Sequence, residues 1–485
     1  MGYYIIGIGG SGAKCTEALI HTLAALPVKQ PVSILLVDPD TANGNLARTV
    51  QTLDAYVAAR SAVLGEQALL KSLLKPTDPR VWTPFADEPR PVFRDLFQYE
   101  FLSRRHPVAA GLMDVLYSEQ EKTATLDKGF LGHPSIGAAV LADSADLISE
   151  HPWKELCNTM RNDPQAKVFL FGSIFGGTGA SGLPTLARLL TDHLQDRREQ
   201  FTIGGTLLLP YFSFPPADDR SQLQARSEEF VLRAQAALGY YQDKLDADER
   251  SIYDAVYVLG SNVPSPLGNN SLGSTSQRNP AHYVELYAAT AALHFFGLQS
   301  ASQPRTFLTA RANTSLLTWD SLPDGFALRD HFANLARFAY AYLGYFYPRL
   351  REQLKTPGFL SKNTSWFINI FERGQAKNNY GEPLEHLADY CTRFLNWLDA
   401  LHRTNDGLTV GYFDTSTYAV AQNAVTFPSG ASTGFQRLYP IADRRLSRTF
   451  EELSSAMDRQ NPRDLSGNSD FGRFAGSLYR ECRAI

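Results

Sequence analysis

Cysteine and methionine are scarce in this chain of 485 residues, which has four of each. Cys15, Cys157, Cys391 and Cys482 form no CxxC pair and no cysteine–histidine cluster with zinc-finger spacing. This spacing excludes a dense disulfide scaffold and the usual zinc modules. We therefore expect reduced thiols and a cytoplasmic location.

An excess of one charge is also lacking, because 46 basic residues face 50 acidic residues and the formal net charge is −4. Such a balance gives no broad positive field, so we expect no direct binding to nucleic acid. The aromatic stretch 328–350 is interrupted by charged residues, and we expect no membrane-spanning segment. The first apolar run begins at residue 3, so we also expect no leader segment.

Short apolar runs alternate with stretches of helical periodicity over roughly the first 300 residues. The apolar runs that we interpret as strands are 3–8, 32–40, 167–171, 201–210 and 253–262. This alternation predicts an α/β fold with a doubly wound, mainly parallel sheet. Residues 45–130 have a helical tendency broken by prolines, which we interpret as an elaboration between core elements. Beyond residue 330 the periodicity predicts a mainly helical C-terminal domain.

The first strand is followed by the glycine loop GIGGSG at residues 7–12. This spacing satisfies GxGxxG, and Asp38 and Asp40 end the next strand, which is compatible with dinucleotide binding. The loop could equally be a tight turn without a ligand. It is not a Walker loop, because Lys14 does not directly follow Gly12.

A second glycine loop, GGTGASG at 176–182, also follows a strand and precedes a helix, which we predict to begin near Leu183 or Pro184. Small residues let backbone N–H groups approach an anion, and a helix N-terminus adds a positive end. The hydroxyls of Thr178 and Ser181 can donate to phosphate oxygens. Two such loops at one sheet edge suggest a triphosphate held from both sides.

The stretch FGGTGASG is similar to the GGGTGSG signature of the tubulin and FtsZ superfamily, and the other motifs follow in that family's order. The resemblance implies a GTPase that binds GTP or GDP with Mg²⁺. VDPDTANG at 37–44 resembles the loop near the magnesium ion, which Asp40 would hold through water, and GFLGHPSIGAAV at 129–140 resembles a further phosphate loop. The phosphate-binding positions implied are Gly9, Gly10, Ser11, Gly12, Cys15, Asp38, Asp40, Asn43, Gly137, Gly176, Gly177, Thr178, Gly179, Ala180 and Ser181.

The same resemblance implies positions for the ribose and the guanine base. LLLPYFSF at 207–214 is similar to the strand and turn before the ribose loop, which places Asp218, Asp219 and Arg220 near the sugar. The resemblance also implies a guanine-reading role for Asn262. In the first turn of the central helix, His282 or Tyr283 would stack on the base and Glu285 would accept from it.

After the central helix, the family's catalytic loop acts on the nucleotide of the neighbouring subunit. NTSLLTWDSLPDG at 313–325 lies in the matching place, with Asp320 and Asp324 as the implied catalytic carboxylates. Thr318 stands where the family has asparagine. The resemblance implies hydrolysis that depends on assembly and a head-to-tail homopolymer, and it leaves room for a further protein partner.

The resemblance divides the chain into a nucleotide-binding domain at 1–280, a central helix at 281–300 and a C-terminal domain at 301–485. Two other functions stay open from the sequence. One is a Rossmann oxidoreductase that uses GIGGSG and Asp38 for NAD, and the other is a non-polymerising nucleotide sensor or scaffold, which the Thr318 departure favours. The carboxylates of Asp320 and Glu285 could also be ordinary turn and helix-end residues.

Overall fold

The chain was analysed in a computed structural model, in which most of the sequence is described. The described residues are 2–63, 69–86, 91–130, 132–143, 149–214, 227–246, 252–267, 277–299, 303–308, 316–323, 325–355, 365–372, 380–403, 409–410, 415–421, 424–427, 449–460 and 469–483. The predicted catalytic residue Asp324 and the predicted ribose residues Asp218, Asp219 and Arg220 lie outside these ranges.

A seven-stranded sheet forms the centre of the molecule. Its strands are β1 (Tyr3–Ile8), β2 (Val32–Val37), β3 (Leu74–Trp82), β4 (Ala166–Phe171), β5 (Phe201–Leu208), β7 (Ala255–Leu259) and β9 (Arg305–Leu308). They lie in the order β3-β2-β1-β4-β5-β7-β9, and every neighbouring pair is parallel. The order therefore reverses between β1 and β4, as in doubly wound sheets whose ligands bind at the carboxyl ends of the strands.

Among the described residues, six shorter strands form three two-stranded pairs outside this sheet. They are β6 (Phe212–Ser213) with β8 (Ser265–Pro266), β10 (Leu316–Leu317) with β11 (Thr409–Val410), and β12 (Ala419–Ala421) with β13 (Ala424–Thr426). Only the last pair is antiparallel.

Helices follow most strands of the large sheet, as the alternating pattern predicts. The helices of the first 300 residues are α1 (Gly9–Ala25), α2 (Gly44–Ala62), α3 (Phe93–Leu96), α4 (Tyr99–Arg105), α5 (Pro107–Leu116), α6 (Glu119–Lys122), α7 (Pro134–Asp143), α8 (Trp153–Arg161), α9 (Gly177–His193), α10 (Ser227–Asp246) and α11 (Tyr283–Gly297). The α11 helix is buried along most of its length and packs on α1 and on the sheet.

The C-terminal part of the chain is mainly helical, as predicted. Its helices are α12 (Gly325–Ala341), α13 (Tyr347–Lys355), α14 (Ser365–Phe367), α15 (Gly381–His402), α16 (Phe450–Arg459) and α17 (Asp470–Cys482). The aromatic stretch that joins α12 to α13 is core, with Phe338, Tyr340, Tyr342 and Phe346 fully buried. One continuous core runs from β1 to α17, because α12 packs on α1 and α15 packs on α2.

The predicted start of α9 near Leu183 or Pro184 is wrong, because the helix begins within the glycine loop at Gly177. Its glycines allow the first turns to pack closely on the sheet. A Cβ atom at Gly179 would lie 2.5 Å from the carbonyl oxygen of Ser173, and one at Gly182 would lie 2.6 Å from Ile8. The glycines are therefore helical packing positions as well as loop residues.

Within the described residues, no helix is both long and apolar enough to cross a membrane.

Candidate nucleotide-binding site

The two glycine loops meet at the carboxyl ends of the adjacent strands β1 and β4. The first loop leads from β1 into α1, and the second leads from β4 into α9. Gly9 has a φ of +71°, and a Cβ atom there would lie 3.2 Å from the Cβ of Thr178. This close approach requires glycine at position 9, because a side chain would be strained and would crowd the second loop.

Both helices present uncapped N-termini at this point. The residues that precede α1 and α9, Ile8 and Gly176, make no side-chain cap hydrogen bond, and neither helix has an acidic residue in its first turn. The first N–H groups of a helix lack partners within the helix. Two helix N-termini of this kind are suited to binding an anion.

A cleft of about 940 Å³, part of which is open to solvent, lies between the two loops. The residues that line it are Ile8, Gly9, Gly10, Ser11, Lys14, Asp38, Asp40, Asn43, Asn45, Lys128, Gly129, Phe130, Gly132, Ser173, Phe175, Gly176, Gly177, Thr178, Gly179, Phe212, Phe214, Phe230, Gln277 and Asn279.

Two carboxyl groups after β2 face this cleft. Asp38 accepts a hydrogen bond from the backbone N–H of Asp40 at 3.0 Å, and Asp40 accepts one from the N–H of Ala42 at 3.1 Å. Burial raises the pKa of Asp38 to about 8, and the neighbouring charge of Asp40 adds to the shift. Asp38 therefore favours its neutral form in the protein at neutral pH.

Side-chain amides form one wall of the cleft. Asn43 caps α2 by accepting from the N–H groups of Asn45 and Leu46, and its Nδ2 donates to Oε1 of Gln277 at 2.8 Å. Asn45 Oδ1 accepts from the N–H of Asn279 at 2.7 Å. Sequence reasoning predicted Asn43 and missed the other three amides, because Gln277 and Asn279 belong to no motif and meet α2 only in the fold.

Four phenylalanines form another wall, and the sequence interpretation missed all of them. Phe175 lies between β4 and α9, Phe212 and Phe214 follow β5, and Phe230 belongs to α10. Their rings contact one another, with centroids of Phe175 and Phe230 4.8 Å apart. Since His282 and Tyr283 do not line the cleft, these four side chains, together with Phe130, are the aromatic groups that a base in the cleft could reach.

Lys14 is a further residue of the cleft that sequence reasoning did not single out. It lies one helical turn after Gly10 and therefore on the same face of α1, a signal that could have identified it. Its ammonium group contacts the carboxylate of Glu285, and both side chains are almost fully buried. Removal of one partner from such a pair would leave an uncompensated buried charge.

The carboxylate of Glu285 is fully engaged beneath the cleft. Besides Lys14, it accepts from the hydroxyl of Tyr211 at 2.8 Å and from the backbone N–H of His282 at 3.0 Å. Burial, together with the nearby Lys14 charge, holds the pKa of His282 well below its usual value. His282 and Glu285 thus form the cap of α11 and not a wall of the cleft.

Several predicted phosphate-binding residues lie beneath the loops and do not line the cleft. Cys15 is fully buried, and burial and the Glu285 charge raise its thiol pKa well above the usual value. The hydroxyl of Ser181 donates to the carbonyl of Gly177 at 2.8 Å, one turn earlier in α9. Gly12 and Gly137 lie in close packing, against the carbonyl of Phe171 and against Ser181. Ala180 is likewise outside the lining.

The predicted base-reading residue Asn262 is exposed and does not line the cleft. Tyr283 lies near Asn262 in the fold, because its hydroxyl donates a hydrogen bond to the hydroxyl of the preceding residue, Ser261, at 2.8 Å. Both residues therefore lie beside the carboxyl end of β7, away from the two glycine loops.

The predicted catalytic residue Asp320 lies in a 3₁₀ turn, Trp319–Ser321, before α12. Its side chain is exposed and is not part of the cleft. The turn is anchored by the buried Trp319 ring and by the hydroxyl of Tyr287, which donates to the carbonyl of Ser321. Asp320 is thus a surface carboxylate on a turn that is attached to α11.

These observations define a doubly wound α/β protein with a cleft between two helix N-termini at the switch point of its sheet. No family model matches the chain, and no curated protein matches it. CetZ2 from Haloferax volcanii, solved as a GTPγS-bound protofilament, is similar at 15% identity over 61% of this chain, with a TM-score of 0.29. TubZ-Bt, in a helical model of a two-stranded filament, is similar at 12% identity over 61% of this chain, with a TM-score of 0.25.

The matches cover 58% of the CetZ2 chain and 53% of the TubZ-Bt chain, little more than half of each. The assignment of a function therefore rests on the cleft of this chain and on its motifs.

Proposed function

We propose that this protein binds GTP in the cleft between its two glycine loops and hydrolyses it in head-to-tail assemblies. The observation that carries the proposal is the pair of uncapped helix N-termini, those of α1 and α9, on one cleft. Residues Gly9 to Ser11 and Gly176 to Gly179 surround the phosphates from both sides. A dinucleotide needs one such loop, so the second loop favours a triphosphate over NAD.

The walls of the cleft supply the remaining parts of a nucleotide site. The wall of four phenylalanines offers a flat apolar surface on which a base can stack. The side-chain amides of Asn45, Gln277 and Asn279 offer both hydrogen-bond donors and acceptors. The choice of guanine rests on the resemblance of the glycine signature to tubulin and FtsZ. The amide wall takes the base-reading role that the resemblance implies for Asn262 and Glu285.

The donor set of the cleft fits a magnesium ion that binds together with the triphosphate. Among the described residues, no three His, Cys, Asp or Glu side chains gather into a metal cage. Asp38 and Asp40 are carboxyl groups beside the first loop, and Asp40 would hold the ion through water while phosphate oxygens supply further ligands. When bound, the ion neutralises charge that develops on the phosphates.

Hydrolysis needs a group that orients the attacking water. The exposed Asp320 is outside its own cleft, which supports a role at the nucleotide of a neighbouring copy. Such a contact joins two different surfaces and continues as a filament when it does not close into a ring. Asp324 is the second carboxylate proposed for this role.

The test is the rate of GTP hydrolysis per subunit as a function of protein concentration. We expect the specific activity to rise with concentration, and Asp320→Ala to abolish the rise. Asp330→Ala, which removes another exposed carboxylate of the same region, is the matched control and should behave as the wild type. Activity that is independent of concentration would favour the sensor or scaffold function, and binding of NADH in place of GTP would revive the oxidoreductase.

A mixing experiment tests catalysis between subunits directly. Gly10→Leu places a side chain in the cleft beside Asn43 and Asn45 and should block nucleotide binding while Asp320 stays intact. Asp320→Ala keeps the cleft but lacks the carboxylate. A mixture of the two inactive variants should recover activity, and a mixture that stays inactive contradicts catalysis in trans.

A further inference from the structure

Within the described part of the chain, α5 carries an apolar stripe that no other element covers. Val108, Leu112, Val115 and Leu116 are 87%, 59%, 83% and 58% exposed. Their spacing of four, three and one places them on one face of the helix. We call these four residues the α5 stripe. Phe101 of the adjacent helix α4 adds a further exposed ring.

This arrangement is the reverse of an ordinary surface helix, which turns its apolar face inward. The inward face of α5 contributes only Ala110 and Met113 to the core. The larger apolar residues of the helix point to solvent. A contiguous exposed apolar surface of this kind marks an interaction site.

We infer that the α5 stripe is an isologous contact with a second copy of this chain, in which the two α5 helices pack antiparallel about a two-fold axis. If the two-fold axis passes between Gly111 and Leu112, Val108 of one copy lies opposite Val115 of the other copy. A Cβ atom at Gly111 would meet no atom within 4 Å. The bare backbone at this position lets the two helices approach closely at the centre of the contact.

The charges at the two ends of α5 select this orientation. Arg104 and Arg105 are exposed immediately before α5, and the pairing of Arg104 with Glu100 at 3.8 Å leaves one net positive charge there. Asp114 and Glu119 lie at the other end of α5. Lys122 contacts both carboxylates, which leaves one uncompensated negative charge there. An antiparallel pair places the basic end of one copy beside the acidic end of the other, whereas a parallel pair would place like charges together.

The area buried in this contact is small, so the two copies bind weakly. The ten residues of α5 span about 15 Å, so the buried area falls in the range of weak interfaces. One contact per copy gives a transient dimer. If the proposed head-to-tail rows form, the same contact repeats along them and joins two antiparallel rows by multivalent binding; this last step alone rests on the proposed function.

Disulfide trapping of nucleotide-free protein tests the contact. All four native cysteines are buried, so an introduced surface cysteine is the accessible thiol. We expect Gly111→Cys to form covalent dimers under mild oxidation, since the two introduced thiols lie close to the axis. Gly239→Cys is the matched control, because Gly239 is also an exposed helical glycine whose Cβ would meet open space, and it should yield several-fold less dimer.

Two further variants test the chemistry of the contact in the Gly111→Cys background. Leu112→Glu should abolish the trapped dimer, and Arg105→Glu should reduce it, with Glu119→Arg restoring it in the double variant. Equal trapping at positions 111 and 239, or no trapping at position 111, overturns the inference. The assay contains no nucleotide, so its outcome is independent of whether the protein hydrolyses GTP.

Discussion

At the scale of single residues, Asp38 is a carboxyl group of the cleft whose pKa changes on folding. Its folded pKa is about 8 because it is buried beside Asp40, whereas an exposed aspartate ionises near pH 4. The unfolded chain therefore loses this proton at a lower pH than the folded chain. Between about pH 4 and 8, the ionisation of Asp38 therefore lowers the free energy of unfolding as the pH rises.

Asp38→Asn should remove this dependence, because the amide cannot ionise and its oxygen can still accept from the Asp40 N–H. We expect the nucleotide-free variant to match the wild type near pH 4 and to be more stable at pH 8.5, by on the order of a few kcal/mol. Urea unfolding across this pH range measures the difference. Asp54→Asn, at a half-exposed carboxylate, is the control, and stability curves that stay parallel for Asp38→Asn would contradict the assignment.

Residue spacing predicted the residues of the two glycine loops that line the cleft, because these residues lie close to the ends of their own strands. They are Gly9, Gly10, Ser11, Gly176, Gly177, Thr178 and Gly179. Residue spacing did not predict the amide and phenylalanine walls. Asn279 and Phe230 reach the cleft from segments distant in sequence, and their presence there depends on how α10 and the 277–281 segment pack. Glu285 was identified by its place in a motif, but the Lys14 ammonium group that it holds determines its environment.

At the scale of elements, the junction of α1 with the second loop depends on one backbone conformation. Gly9 has a positive φ, and a Cβ atom added there would lie 3.2 Å from the Cβ of Thr178. Alanine at this position costs roughly 1–2 kcal/mol in conformational energy alone, and its methyl group would push the two loops apart.

Gly9→Ala should therefore lower both the stability of the free protein and its affinity for GTP. We expect a loss of stability of about 1–2 kcal/mol and a loss of affinity of at least tenfold, measured by urea unfolding and by titration of a fluorescent GTP analogue. Gly239→Ala, in the open interior of α10, should leave GTP affinity unchanged and raise stability by up to about 1 kcal/mol. An unchanged affinity in Gly9→Ala would argue against phosphate binding at this loop.

The elements that the sequence interpretation missed are the two edge strands of the sheet. Pro76 and Pro79 of β3 read from the sequence as breaks in an elaborated region, yet an edge strand tolerates proline because one side of it needs no partner. The strand β9 has four residues, most of them exposed, and so lacks the buried apolar run that identified the inner strands. Hydrophobic periodicity identifies strands through their buried residues, and these two edge strands have few buried residues.

At the scale of the whole molecule, His21 lies where the sheet unit meets the C-terminal helices. Its ring belongs to α1 and packs among Tyr390, Phe394 and Trp397 of α15. Burial, with the nearby charges of arginine side chains, lowers the pKa of His21 to about 3. The unfolded chain binds this proton below about pH 6.5, so stability is lost as the pH falls from 6.5 towards 3.

His21→Phe should make the protein less sensitive to acid in this range, because phenylalanine cannot bind the proton. We expect the slope of stability against pH to decrease by about 1.4 kcal/mol per pH unit between pH 6 and 4. The Tyr390 hydroxyl loses its partner at 3.3 Å, which adds a constant cost at every pH. His151→Gln, at an exposed histidine, should leave the slope unchanged, and an unaltered slope in His21→Phe would contradict the assignment.

Fold class was predictable from the sequence because buried parallel strands and amphipathic helices leave separate periodicities. The packing of α15 on α2 was not, since both helices show only that they have an apolar face. An apolar face does not specify which helix packs against it. The continuous core that results also explains why the aromatic residues of α12 are interior residues.

The prolines of β3 have one further consequence, for how this protein behaves at high concentration. Proline has no N–H donor, and the charged residues Lys75, Asp78 and Arg80 lie within the same outermost strand, β3. An edge of this composition is a poor template for the backbone of another chain. Copies held side by side can therefore associate through helix surfaces without their sheets fusing into cross-β aggregates at this edge.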